Sequence, residues 1–279
     1  MKGVPSTPPL AEAPADLLSG HLWLVELIDG HPLRFQLQDS GLLRVGDAER
    51  AYDDPAAIPL PLRRAVSHIR TTLEREALTA AVDDVSEVTF VGVATTRRSV
   101  PYDLDAMPPF LGTDIWVAAA GSFRPPDAAD GIFRRLGLDP INAFSRECHA
   151  RDFDADQYSI PSSAWYDGPA AGVVIRNKQG HRARLTAGDP PASTAAASAV
   201  VASRSIDEVV AAVVSPERID DIAAALEAAG RPVGVETVTD RLCAAVGRRH
   251  PAAFLGTERL DQAAFRSAVA ERVQRQIQG

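Results

Sequence analysis

Residues 171–185 read A-G-V-V-I-R-N-K-Q-G-H-R-A-R-L. An apolar run, the turn residues Asn177-Lys178-Gln179-Gly180 and a second apolar-bearing run spell a β-hairpin. A hairpin pairs its strands antiparallel, so the fold is expected to contain an antiparallel sheet. Toward the N-terminus, residues 33–37 and 42–45 flank an Asp39-Ser40-Gly41 turn and predict a second hairpin. Residues 22–28, 88–94 and 115–119 read as further strands. The spacing of Leu62, Ala65, Val66, Ile69 and Leu73 predicts a helix over 61–78. Residues 127–136, closed by Gly137, predict another.

Toward the C-terminus the pattern changes. Residues 186–203 are rich in Ala, Ser and Pro and read as a linker. Beyond them the spacing is helical throughout: residues 205–214, a helix opened by Ser215-Pro216 and stopped by Gly230, residues 235–248, and residues 260–277. Serine at the N-cap, proline at the first helical position and glycine past the end are helix punctuation. In the last helix Phe265, Val269, Val273 and Ile277 fall four apart, an apolar stripe. The expectation is an α+β chain: a disordered lead over 1–20, an antiparallel-sheet domain over 21–195 and a small helical domain over 196–279.

Of 29 lysine and arginine residues only two, Lys2 and Lys178, are lysines. The net charge is -8 and no basic block occurs, which argues against a general nucleic-acid binder while leaving room for a local basic groove. Two cysteines make no disulfide framework and point to a reducing, cytoplasmic setting. No apolar run approaches the ~20 residues that span a membrane, and the N-terminus lacks the apolar stretch of a signal peptide. Oligomeric state is not legible.

Four stretches in order resemble the covalent nucleotidyltransferases and, within them, the ATP-dependent RNA ligases: 35–46 (FQLQDSGLLRVG), 90–102 (FVGVATTRRSVPY), 110–116 (FLGTDIW) and 171–185. The resemblance implies a ligase adenylation-like domain followed by a helical tail. It also implies a chemistry, attack of a lysine on the α-phosphate of ATP with Mg²⁺ on the phosphates. The family pattern is K-x-D-G, F-x-G-E, an aromatic-Asp pair, E-G-V-V-I and K-x-K. Laid on this chain, K-x-D-G falls on Leu37-Gln38-Asp39-Ser40 and is followed by Arg44 and Gly46. F-x-G-E falls on Phe90–Val93 with Gly92 kept and Val93 in place of the glutamate. The aromatic-Asp pair falls on Thr113-Asp114. E-G-V-V-I falls on residues 171–175, with Ala171 for the glutamate and Gly172 kept. K-x-K falls on Arg182-Ala183-Arg184.

The nucleophile and both glutamates are therefore absent, and arginine is no amine nucleophile at neutral pH. No catalytic residue and no metal site is assigned. Asp39, Arg44, Gly92, Asp114, Gly172, Arg176, Arg182 and Arg184 are the candidates for the nucleotide pocket. The expected function is a non-catalytic scaffold that binds nucleotide, RNA or a partner protein. The alternative is an active RNA ligase with a rebuilt site, in which Lys178 replaces the missing lysine and ATP and Mg²⁺ are used. The direction of the Lys178 side chain separates the two. The histidines and cysteines form no zinc pattern.

Overall fold

Apolar alternation on two sets of strands builds two antiparallel sheets. The computed structural model describes residues 1–186, 205–255 and 259–278. The first sheet takes β1 (His21–Glu26), β8 (Ala143–His149), β9 (Gly172–Asn177) and β10 (Arg182–Thr186), in the order β10-β9-β1-β8. The second takes β2 (His31–Leu37), β3 (Leu43–Gly46), β4 (Ala51–Tyr52), β5 (Val88–Ala94), β6 (Phe110–Val117) and β7 (Ser122–Phe123), in the order β4-β3-β2-β5-β6-β7. Both expected hairpins form, with Arg182 opposite Arg176 in one and Leu37 opposite Leu43 in the other. The strand expected over 115–119 starts earlier, at Phe110, because Phe110, Leu111 and Gly112 continue the ladder against β5. β8 was not foreseen; its side chains are half-buried or exposed and carry no clean alternation.

Side chains on alternate sides of β1 feed two cores. Leu22 and Leu24 pack with Leu17, Val173, Ile175 and Ala183. Trp23 and Val25 pack with Ile28, Tyr102, Leu104 and Leu111. On the second sheet a chain of rings runs from Phe35 to Phe90 at 4.9 Å, then to Phe133 at 6.0 Å. Phe133 comes from α3 (Pro126–Arg135), which Pro126 starts and the left-handed Gly137 follows. The helix expected over 61–78 divides into α1 (Leu60–Thr72) and α2 (Arg75–Thr79). At the break the Glu74 backbone N–H donates to Leu136 instead of continuing the helix.

The chain divides into two units. One is Met1–Ala57, Ala65–Thr95 and Val100–Pro191; the other is Ile58–Arg64, Thr96–Ser99 and Ala192–Gly279. The second unit is thus not one contiguous stretch, as had been expected. Its core joins Leu60 to α4 (Ile206–Val213), α5 (Pro216–Ala228), α6 (Val235–Arg249) and α7 (Gln262–Gln278). A Cβ on Gly247 would come within 2.6 Å of the Leu60 carbonyl carbon, so glycine is what lets that backbone approach. Ser205 and Glu208 form a capping box on α4, and Ser215 caps α5. The expected linker, apart from Thr186, and the 195/196 boundary lie outside the described residues.

The lead over 1–20 is not disordered. Leu17 is fully buried, and the Asp16 and Leu17 carbonyls accept from Asn177 Nδ2 at 3.2 and 3.1 Å. Further upstream, Arg34 Nη1 donates to the Lys2 carbonyl at 2.9 Å, and the Arg184 N–H donates to the Pro8 carbonyl at 2.8 Å. These partners are far away in sequence, so the sequence pattern of the lead carried no sign of them.

Candidate functional site

A cavity of about 290 Å³ opens between the two sheets, within the first unit. Its walls come from β1 and the segment after it, from the start of β2, and from β5, β6, β9 and β10. Six of the named candidates or replaced positions meet there: Gly92, Val93, Asp114, Arg176, Arg182 and Arg184. Apart from these charged groups and Glu26, much of the lining is aliphatic, including Val25, Ile28, Val91 and Val174.

Asp114 is the electrostatic centre. Its carboxylate accepts from Arg176 Nη2 at 2.5 Å and from Arg182 through two nitrogens at 2.9 and 2.8 Å. Arg176 also donates to the Thr113 carbonyl at 2.7 Å. The three side chains are only 3%, 6% and 8% exposed, so the cluster is desolvated. Burial opposes ionisation of Asp114, but the two guanidinium groups outweigh it and hold the carboxyl below the usual carboxylate range. β-sheet geometry explains the meeting. Arg176 and Arg182 are register partners on β9 and β10, and such partners project from the same face of a sheet.

The other acid in the wall, Glu26, is equally occupied. It accepts from Ser163 Oγ at 2.6 Å, Asn142 Nδ2 at 3.0 Å and the Ala164 N–H at 3.3 Å. Arg184, at the exposed mouth, donates to the Thr7 carbonyl and has no carboxylate partner among the described residues. A divalent cation needs acidic oxygens free to bind it. Both wall acids are already engaged, and the positions where the sequence resemblance places glutamates hold Val93 and Ala171. These residues do not fit a phosphate-bridging Mg²⁺. Among the described residues no group of three or more His, Cys, Asp or Glu can hold a metal.

The remaining candidates lie elsewhere. Leu37 shares a face of β2 with Leu33 and Phe35, is 2% exposed and does not line the cavity. The cavity-side residue at the start of that strand is Pro32, and alternation sends odd and even positions to opposite faces. Asp39 is exposed in the turn beyond. Arg44 makes an exposed ion pair with Asp53 at 3.5 Å. Ala171 packs against the core of Trp23 and Tyr102. Gly172 is not in the wall, although a Cβ there would come within 3.0 Å of Leu27. Lys178 is 53% exposed, bonds Glu147 at 2.9 Å and lies 5.3 Å from the Trp23 ring centre, outside the cavity lining. Its pKa is raised by that hydrogen bond and charge, the opposite of what an amine nucleophile needs.

Another stretch fits K-x-D-G better than the one around Leu37. Residues 27–30, Leu27-Ile28-Asp29-Gly30, keep both the aspartate and the glycine. Leu27, Ile28 and Gly30 line the cavity. A Cβ on Gly30 would sit 2.5 Å from Val93, so glycine is required where this turn meets β5. That double match was present in the sequence; reading 22–28 as one strand concealed the turn. Val4, Pro5 and Thr7 also line the cavity, for which the sequence offered no signal.

No family model matches the chain. No curated protein matches it either. Solved structures do. The Naegleria gruberi RNA ligase with PPi superposes with a TM-score of 0.50 at 11% identity, covering 67% of this chain and 56% of the ligase. A glutamate-to-alanine mutant of that ligase with ATP and Mn gives the same values. An archaeal ATP-dependent RNA ligase matches at 14% identity with a TM-score of 0.47, covering 72% of this chain and 51% of that one. The chain has the RNA-ligase-like nucleotidyltransferase fold. It spans about half the length of the ligases it matches.

Proposed function

We propose that this protein is a non-catalytic member of the ligase-fold proteins, a binding domain that does not form a covalent enzyme–AMP intermediate. We assign the place of the family lysine to Leu27. The observation that carries this reading is the state of the cavity: Leu27 and Val93 replace the nucleophile and an acid, and Asp114 is clamped between Arg176 and Arg182. Function is argued from the site and not the fold. A leucine supplies no electron pair for the α-phosphate, and every oxygen of the wall acids already accepts a hydrogen bond.

A rebuilt active ligase would need Lys178 in the cavity as a neutral amine. Its exposure and its ion pair with Glu147 argue against that. Intact-protein mass after incubation with ATP and Mg²⁺ or Mn²⁺ is the test. The expected result is unmodified mass. An AMP adduct, mapped to any residue, overturns the reading.

A further inference from the structure

The cavity between the two sheets is open space and not packed side chains. At about 290 Å³ it is large compared with the ~30 Å³ that one water occupies in the liquid. It approaches the range of small-ligand pockets, ~300–1,000 Å³. The walls contributed by Val25, Leu27, Ile28, Val91, Val93 and Val174 offer no hydrogen-bonding side chains. A polar body placed against them would lose its water without compensation.

The charges of the wall do not cancel. Arg176, Arg182 and Arg184 face it, against Glu26 and Asp114. One positive charge is in excess. Asp114 leaves one charge of the inner arginine pair unmatched, and Glu26, the other acid of the wall, offsets it. Among the described residues the Arg184 side chain has only the Thr7 carbonyl as a partner. The unbalanced charge therefore sits at the mouth, and the apolar surface lies behind it. The peptide from Val4 to Thr7 forms part of the enclosure.

We propose that this cavity binds a small organic monoanion with an apolar body, the body against the valine and isoleucine walls and the anionic group at Arg184. The proposal rests on the non-catalytic reading and names the ligand class of the same site. Guanidinium recognises a carboxylate through paired N–H donors, and a single excess charge complements a single negative one. ATP is the wrong ligand on both counts. It brings several negative charges to one unbalanced arginine, and the occupied acids recruit no cation to offset them.

Isothermal titration of the 279-residue protein with 2-naphthoate is the experiment, with 2-naphthalenemethanol as the uncharged counterpart and ATP as competitor. Saturable one-to-one binding of naphthoate is expected, at least about tenfold tighter than the alcohol, a difference of about 1.4 kcal/mol. ATP should not displace it. Arg184→Gln, which keeps a donor for the Thr7 carbonyl at an exposed position, should bring the two affinities together. Val93→Phe and, independently, Val174→Phe should fill the cavity and abolish binding of both, with folding of each variant checked by circular dichroism. No saturable binding of naphthoate to the unaltered protein overturns the proposal. So does equal affinity for the alcohol, displacement by ATP, or binding that survives folded cavity-filling variants. An AMP adduct is a separate result and overturns the non-catalytic reading instead.

Discussion

Two stretches ten residues apart begin with leucine and carry an aspartate two positions later. Their side chains meet opposite surroundings. Leu27-Ile28-Asp29-Gly30 turns out of β1 and lines the cavity, with Leu27 half-buried. Leu37-Gln38-Asp39-Ser40 leaves β2 with Leu37 almost fully buried on the Phe35 face and Asp39 in solvent. Local similarity of pattern does not say which side of a sheet a residue faces; strand parity and the neighbouring strands do. The first leucine lies next to open space. The second is ordinary core.

The sharpest way to break this comparison is to place the same charge at both sites. Leu37→Lys puts an ammonium into packed hydrocarbon and should cost roughly 4 kcal/mol or more. Leu27→Lys has the cavity to extend into and should cost only about 1–2 kcal/mol. Urea denaturation of the two variants reads the difference, and equal losses would mean that Leu27 is as much a core residue as Leu37. Neither variant should form an AMP adduct, because Val93 and Ala171 still lack the acids.

Next in size is the clamp that fills the cavity floor. Asp114→Asn keeps the shape and removes the charge, leaving Arg176 and Arg182 facing each other in a buried site. Removing one partner of a buried ionic cluster costs about 3–5 kcal/mol, visible as a lower urea midpoint. The pH dependence has a fixed sign. Asp114 is held below its ordinary value of 3.8, so its stabilisation is complete above that pH and is lost as the pH falls through the folded value. The asparagine variant should lack this acid-labile component. If its stability matches the parent, the cluster is not the keystone of the site.

A smaller effect extends the rule that burial disfavours charge to the helical unit. Burial lowers the His250 pKa below 6.5, assisted by Arg218, Arg97 and Arg249. The unfolded chain then binds that proton more readily than the folded one. Stability from this residue is full above about pH 6.5 and declines as the pH falls from there toward the lower folded value. Thermal melts between pH 7.5 and 5 should show this decline in the parent and less of it in His250→Gln. The smallest effect belongs to Lys178. Its pair with Glu147 is exposed, and such pairs contribute little. Lys178→Met should leave the melting temperature within experimental scatter and naphthoate binding unchanged; a large loss of binding would put Lys178 in the site.

The hairpin at residues 171–185, the helix punctuation at Ser215 and Gly230 and the apolar stripe through Phe265, Val269 and Val273 could be read directly. Each is set by period, turn chemistry or capping within a few residues. Val93, Arg182 and Arg184, singled out by short sequence patterns, lie on regular strands and line the cavity. What the sequence did not decide was which leucine faced the cavity, since a one-residue change of parity exchanges core for cleft. Nor did it show that Asp114 is held by two arginines more than 60 positions away, that residues 4–7 wall the cavity, or that residues 58–64 belong to the helical unit. Those are contacts between distant segments. They depend on strand register and sheet pairing, which only the folded chain supplies.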